Sequence, residues 1–298
     1  MKASSAVSEK ENVGLVGLGL VGTALARRLL GAGLKVTGYD IDPARRDALA
    51  VLGGKPAVAV AELAKACPRV ISAVFNTEQL AEVIEGEGGL LSAGGKHTVL
   101  NVTTSDPDKV AALAGRIVAR GVTLLEVPIS GTSEQIVQGD GVGLIGGDRA
   151  VAAACADILD AICPKRYFTG AVGNGAKTKL AVNLILGLNR AALAEGLVFA
   201  ERLGLDPRAF LEVARGSAAY SQIMDVKGEK YISRDFKPHG KIVQHLKDVH
   251  MMVDYAHRAG QSLPLMEVVQ ALLEGNVSHG EGDYDNCAVI EEVRRRTR

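Results

Sequence analysis

The sequence predicts an α/β chain: a doubly wound parallel sheet followed by an all-α C-terminal domain, the two joined by a long helix. Three observations carry this. Residues 12–168 alternate short β-branched runs with alanine- and leucine-rich segments whose apolar residues recur at i, i+3 and i+4. The β-branched runs are apolar throughout, the habit of strands covered on both faces, as in parallel sheets. After Gly170 no convincing strand follows, and helix-forming sequence dominates.

The strand candidates are, in order, Asn12–Gly17, Lys35–Asp40, Arg69–Val74, His97–Val102, Val122–Val127, Val142–Ile145 and Lys165–Phe168. Helical spacing is clearest over Ala24–Leu30 and Lys109–Ala119. From Gly175 to Leu203 lies a nearly unbroken run of helix formers, bounded by Gly173-Asn174-Gly175 and by Gly204. It is longer than the usual globular helix and lacks sustained heptads, so it reads as a spine shared by two domains. Further helices are expected at Pro207–Ala214, Ile242–Ala259, Pro264–Glu274 and Asn286–Arg296. The boundaries that follow are a polar, disordered tail over 1–11, a sheet domain over 12–168 and a helical domain over 169–298.

Composition removes several function classes. Lys and Arg number 34 against 34 Asp and Glu, and neither half departs from balance by more than one charge. The electrostatic footprint of a nucleic-acid or anionic-membrane binder is therefore missing. Aromatics are 4% and Trp is absent, which disfavours base-stacking platforms. The four cysteines, Cys67, Cys155, Cys163 and Cys287, show no C-x-x-C spacing and read as reduced, buried thiols. The histidines lack metal-ligand spacing, so no metal is expected. The first eleven residues carry no apolar signal-peptide core, and the apolar stretch Leu180–Leu188 is too short to span a bilayer. A cytoplasmic protein without a membrane partner is the expectation.

Gly17-Leu18-Gly19-Leu20-Val21-Gly22 is a G-x-G-x-x-G placed between the first strand and the first helix. In that context Gly17 allows the tight turn, Gly19 lets backbone approach a pyrophosphate, and Gly22 lets helix and strand pack closely. The helix N-terminus offers N–H groups and partial positive charge to the phosphates. Asp40 ends the next strand at about the spacing expected of the acid that binds the ribose hydroxyls. A Rossmann-type dinucleotide site follows, with NAD favoured because a carboxylate there repels a 2′-phosphate. Arg45 and Arg46 lie close by and keep NADP open.

An NAD enzyme acting on an alcohol needs a group that takes or returns the hydroxyl proton. Lys179 and Asn183, at i and i+4, share one face of the long helix, and the stripe continues to Gly187, which leaves room for an approaching group. An amine and an amide on an apolar helix are costly unless they face a cleft, and desolvation there lowers a lysine pKa. By residue type alone, a surface lysine beside a helix start explains the pattern equally well.

Taken together, these residues resemble the β-hydroxyacid dehydrogenases, that is, 3-hydroxyisobutyrate dehydrogenase and its relatives, with 6-phosphogluconate dehydrogenase as a larger cousin. The resemblance runs from about Asn12 to Ala271. Besides the glycine turn, Asn101-Val102-Thr103-Thr104-Ser105-Asp106-Pro107 is similar to the family's Asp-x-Ser-Thr-x-x-Pro, which implies a cofactor contact for Thr104. Glu126-Val127-Pro128-Ile129-Ser130-Gly131-Thr132 is similar to the substrate motif Asp-Ala-Pro-Val-Ser-Gly-Gly, which implies that Ser130, Gly131 and Thr132 hold the substrate carboxylate. Successive amides in such a turn make an anion nest. The Gly-x-Gly-x-x-x-Lys-x-x-Asn-Asn pattern implies that Lys179 is catalytic and that Asn183 binds substrate. Phe236 and Lys247-Asp248 match the family's Phe…Lys-Asp, and its lysine closes over substrate or nicotinamide.

Three departures stand out: Thr132 for the second glycine, Val182 for the first asparagine, and Asn101 for the strand-end aspartate. The first two point to an acid other than 3-hydroxyisobutyrate, and Glu134 and Gln135 offer polar contacts to a longer or more hydroxylated one. The expected activity is hydride transfer between NAD and a small 3-hydroxy acid or its semialdehyde, in a crevice between the domains, with Lys179 as general acid and base. Two alternatives stand beside it: an NADPH-dependent aldehyde- or imine-type reductase, and a non-catalytic dinucleotide-binding scaffold. A homodimer or homotetramer is expected from the apolar helical half.

Overall fold

A computed structural model describes residues 12–296, so the tail expected over 1–11 lies outside the described residues. The chain divides into two compact units, the first ending at Lys179 and the second beginning at Leu180. The division falls inside the long helix, whereas sequence texture changes earlier, near Gly170.

The described residues of the first unit form nine strands: β1 (Asn12–Val16), β2 (Lys35–Tyr39), β3 (Lys55–Pro56), β4 (Arg69–Ser72), β5 (His97–Asn101), β6 (Val122–Glu126), β7 (Ile129–Ser130), β8 (Val142–Gly146) and β9 (Lys165–Gly170). Between them run α1 (Leu20–Gly31), α2 (Pro43–Val51), α3 (Val60–Ala66), α4 (Thr77–Glu85), α5 (Leu90–Ala93), α6 (Pro107–Val118), α7 (Ser133–Gln138), α8 (Arg149–Ala154) and α9 (Ala156–Ile162). The sheet order is β3-β2-β1-β4-β5-β6-β8-β7, with β9 beside β8.

The order reverses direction at β1, the topological switch point where doubly wound sheets bind ligands beyond the strand ends. From β3 to β6 every pairing is parallel. The doubly wound parallel sheet expected from the sequence is present, with a reversal of strand direction at its far end. β8 runs antiparallel to β6 and β7, and only β9 runs parallel to it. The physical reason is connection length. β7 and β8 are joined by α7, too short for a crossover that returns the chain to the same end of the sheet.

Two apolar clusters cover the two faces. One places Leu25 and Leu29 of α1 and Ile158 and Ile162 of α9 against Val13, Leu15, Leu100 and Leu125. The other packs Leu63, Leu80, Ile84, Val110, Leu113 and Ile117 against Val70, Val99 and Val122. β3 and β7, two residues each, were absent from the sequence reading. A pair of residues carries no period, so only pairing with a neighbour defines them.

The long helix, α10 (Asn174–Arg202), leads into a second unit whose described residues form helices: α11 (Pro207–Arg215), α12 (Gln222–Ser233), α13 (Ile242–Arg258), α14 (Pro264–Ser278), a 3-10 turn at Asn286–Ala288 and α15 (Val289–Arg295). α10 has 29 residues, about 43 Å at 1.5 Å per residue. By length and composition it meets the requirement for a membrane span. It is nevertheless a core helix: Leu193, Ala194, Leu197 and Val198 join one cluster with Leu211, Tyr231, Val249 and Leu273. It also carries Asn183, Asn189, Arg190 and Glu195, a polar load that lipid would tax heavily.

α12, not foreseen from the sequence, buries Ile223, Met224, Lys227 and Tyr231. Its Lys227 ammonium is 1% exposed and meets Asp285 at 2.6 and 2.7 Å, a buried polar pair that interrupts the apolar period. All four cysteines are free thiols and buried. Among the described residues, no cluster of His, Cys, Asp or Glu could hold a metal ion.

Candidate active site

The turn after β1 shows why it is glycine-rich. Gly17 has φ +90, and a Cβ there would lie 2.5 Å from the Ala73 carbonyl oxygen. A Cβ on Gly22 would overlap the Gly17 carbonyl itself, so strand and helix meet only with hydrogen at that position. A Cβ on Gly19 would meet nothing nearer than Arg45, at 3.8 Å, so this face of the turn is open. The helix start at Gly19 has no side-chain cap. Amides of Leu20, Val21 and Gly22 in the first turn are the orphan donors that an anion satisfies. A pyrophosphate cradle needs this combination of glycine clearance and an uncapped helix, and Gly17–Gly22 provides it.

Asp40 follows β2 and is 6% exposed. Its Oδ2 accepts from the Leu18 amide at 2.7 Å and its Oδ1 from the Asp42 amide at 2.9 Å. The carboxylate thus ties the second strand to the glycine turn. Arg45 Nη1 lies 3.4 Å from Asp40 Oδ2, and Arg46 donates to the Asp40 carbonyl at 2.7 Å.

Thr104 sits in the turn after β5, half-buried. Asn101 explains that turn. Its Oδ1 accepts from the Thr103 amide at 3.1 Å while its Nδ2 donates to Ser105 Oγ at 3.0 Å. Ser105 Oγ donates its own proton to the Thr103 carbonyl at 3.2 Å, so it needs a donor from residue 101, which asparagine supplies and an aspartate does not. Thr103 Oγ1 in turn accepts from the Val74 amide at 3.1 Å.

Ser130 ends β7 and is half-buried, and Gly131 follows with φ +151. Thr132 is the N-cap of α7 in a full capping box: its Oγ1 accepts from the Gln135 amide at 3.2 Å, and its own amide donates to Gln135 Oε1 at 2.9 Å. Two expectations change here. The Thr132 amide donates to Gln135 Oε1 rather than to an anion, and that oxygen, though not the Gln135 Nε2 donor, is taken up by the cap. Threonine replaces glycine because the helix takes its cap from this position.

Lys179 lies in the second turn of α10, 7% exposed, and its Nζ donates to the Ile129 carbonyl at 2.7 Å. The surface-lysine alternative is thereby excluded. One turn on, Asn183 is 8% exposed and its Nδ2 donates to Asp248 Oδ2 at 3.2 Å. Lys247 Nζ is 2.9 Å from Asp248 Oδ1, so Asp248 of α13 holds both the asparagine amide and the neighbouring amine. Phe236 stacks on Tyr284, with ring centroids 6.0 Å apart.

The room expected at Gly187 is already used. A Cβ there would lie 3.1 Å from Met266 Cε and 3.2 Å from the His245 ring. That glycine serves helix packing and does not admit a ligand.

Sequence reasoning missed Glu126. It ends β6, is 1% exposed, and accepts three amides from the start of α10: Gly173 at 2.5 Å, Gly175 at 3.2 Å and Ala176 at 3.0 Å. Burial raises its pKa, opposed by those three amides and by the nearby Lys177 charge. The signal available in the sequence was the Gly173-x-Gly175 spacing, read there only as a helix start.

Residues 12–170 match the family model for the NAD binding domain of 6-phosphogluconate dehydrogenase, and residues 173–293 match that for the NAD-binding region of NADP-dependent 3-hydroxyisobutyrate dehydrogenase. The chain belongs to the β-hydroxyacid dehydrogenase family.

This dehydrogenase aligns with its relatives over nearly its whole length. It is 31% identical to L-threonate dehydrogenase of Cupriavidus necator over 94% of this chain and 95% of that one. Glyoxylate/succinic semialdehyde reductase 2 of Arabidopsis thaliana is 29% identical, over 95% and 79%. The crystal structure of 3-hydroxyisobutyrate dehydrogenase from Salmonella typhimurium matches with a TM-score of 0.86 at 25% identity, covering 95% of this chain and 99% of that one. The protein is an NAD(P)-dependent oxidoreductase of the hydroxyacid dehydrogenase and semialdehyde reductase group.

Proposed function

We propose that this dehydrogenase interconverts a small 3-hydroxy acid and its semialdehyde, preferring NAD. The observation that carries the reading is the Lys179 amine, buried and bonded to the carbonyl that precedes Ser130. In this reading Ser130 and the Gly131 amide orient the substrate carboxylate, with Thr132 contributing bulk. Lys179 takes the hydroxyl proton in oxidation and returns it in reduction, a role worth about 10²–10⁴-fold. Asn183, steadied by Asp248, orients the substrate beside Lys179, and Lys247 contributes a second positive charge.

Gly17, Leu18, Gly19, Leu20, Val21 and Gly22 would hold the pyrophosphate, Asp40 the adenosine ribose, and Thr104 the nicotinamide end. The bound nicotinamide supplies the hydride acceptor or donor. Preference for NAD rests on Asp40, whose buried carboxylate is fixed over the glycine turn. A second reading, NADPH-dependent aldehyde or imine reduction, is favoured by Arg45 and Arg46 beside Asp40.

We extend the proposal to a cytoplasmic homo-oligomer. Ile185 and Phe199 of α10 and Leu203 just after it are 59%, 65% and 61% exposed at positions that share one helical face, with exposed Ala181 before them and Ala192 between. Such a stripe is commonly covered by a second subunit. Sedimentation as a monomer would contradict this.

The test is a kinetic screen. L-threonate, 3-hydroxyisobutyrate, glyoxylate and succinic semialdehyde are assayed with both cofactors, following reduced-nicotinamide absorbance. The highest kcat/KM with NAD(H) and a hydroxy acid or semialdehyde supports the first reading, and a preference for NADPH and aldehyde supports the second. Tight NADH binding without turnover returns the protein to a scaffold role.

A further inference from the structure

Five consecutive residues grip α10 at two places. Glu126 binds its first amides through both carboxylate oxygens, and Ile129, three residues later, accepts Lys179 through its main-chain carbonyl. Ser130 follows at once. The sequence separations are 47 to 50 residues, so these bonds tie a helix to a distant strand.

Other helices are capped differently. α2, α4, α6, α8 and α11 take their caps from the residue immediately before them: Asp42, Asn76, Asp106, Asp148 and Asp206. A local cap ends a helix and moves with it. A carboxylate reaching from β6 also fixes where the helix stands and how it is rolled about its axis.

The surroundings are shaped for that carboxylate. A Cβ on Gly146 would overlap Glu126 Oε2, and one on Gly175 would lie 3.0 Å from Glu126 Cβ and 2.9 Å from the Leu144 carbonyl oxygen. Gly173, with φ +99, turns its amide onto Glu126. Three glycines thus admit one buried anion to the positive end of α10, where charge-assisted bonds are strong.

We propose that Glu126 is a positioning residue: by clamping the first turn of α10 to β6, it sets the place of the Lys179 amine relative to Ser130. The inference rests on the catalytic reading of Lys179. It adds that the reaction depends on a group which touches neither substrate nor cofactor. An error of about 1 Å in such an arrangement can cost about a hundredfold in rate.

The full-length enzyme is compared with Glu126→Gln, Glu126→Asp, Gly175→Ala and Lys179→Ala, using whichever of the four screened compounds turns over fastest. Readouts are kcat, the deuterium isotope effect on hydride transfer, NADH affinity by fluorescence, and Tm. For Glu126→Gln the expected kcat is about 10- to 100-fold lower. Its isotope effect should be raised and its NADH affinity within about twofold of wild type, because the glycine turn is untouched. Glu126→Asp, which keeps the charge on a shorter arm, should recover part of the loss.

Wild-type kcat and isotope effect in Glu126→Gln, with only Tm lowered, would overturn the proposal. Should Glu126→Gln fail to fold, Gly175→Ala decides. It keeps the carboxylate but displaces the helix, and unchanged kcat in it is equally fatal. Full turnover in Lys179→Ala would instead remove the catalytic reading, whatever the Glu126 variants do.

Discussion

The amine of Lys179 donates a 2.7 Å hydrogen bond to the main-chain carbonyl of Ile129, the residue before Ser130. One contact therefore joins the proposed proton-transfer group to the segment proposed to hold the substrate carboxylate. Replacing the amine leaves that carbonyl without this partner but does not touch the glycine turn. Lys179→Ala should lower kcat by about 10²–10⁴-fold while NADH affinity stays within about twofold. Stopped-flow turnover and fluorescence titration check both halves of the statement.

Gly22→Ala places a methyl group on the Gly17 carbonyl oxygen, and backbone rather than a flexible side chain must give way. Overpacking of this kind costs about 1–3 kcal/mol. The variant should unfold at lower urea concentration and lose NADH binding at least about tenfold. Unaltered binding would show that the turn does not have to keep this geometry to hold the dinucleotide.

Asp40→Asn removes a charge bonded to the Leu18 amide and leaves Arg45 beside a neutral amide. A charged hydrogen bond is worth about 1.5–3 kcal/mol, roughly 10- to 100-fold. The ratio of kcat/KM for NADP over NAD should rise by about that factor. A ratio that does not move would place cofactor choice elsewhere than Asp40.

Lys227 and Asp285 form a buried pair in the helical unit. Breaking it with Lys227→Met strands the Asp285 carboxylate, at a cost of about 3–5 kcal/mol. Adding Asp285→Asn to that variant should recover much of the loss, since no charge is left unpaired and the asparagine oxygen still accepts from a main-chain amide of His239 or Cys287. Urea denaturation of the single and double variants gives the comparison.

The helical unit should also be acid-sensitive. The Lys227 ammonium holds Asp285 below the usual carboxylate range against the opposing effect of burial, and Glu281 is held low chiefly by Arg295. A carboxylate with a depressed folded-state pKa stabilises the fold fully above its unfolded value, near 4, and loses that contribution as pH falls through the folded value. Glu126, raised by burial, carries the opposite sign. Tm measured from pH 7 down to pH 3 should fall, and Glu281→Gln should make the acid slope shallower.

Particular residues show where sequence reading stops. The glycine turn was legible because each glycine has a local reason, and Asp40 was legible because spacing along one β-α-β unit is nearly fixed. The burial of Lys179 was an open question until the Ile129 carbonyl was found beside it, 50 residues away. Gly187 was misread as a port because the His245 and Met266 side chains that fill its space come from other helices. Glu126 was named only as the first residue of the substrate motif and given no role, since an acid at the end of a strand is common and its partners lie 47 to 50 residues on.

The sequence alone determined the alternation of seven strands with helices, the helical second half, the dinucleotide turn and the family resemblance, because periodicity, turn chemistry and motif spacing act over a few neighbours. Tertiary structure decided the reversed direction of β8, the spending of the Thr132 amide on a helix cap, and the seating of α10 on Glu126. Those depend on which polar groups become neighbours after burial. In a dry interior each donor must find its acceptor wherever the fold has brought one.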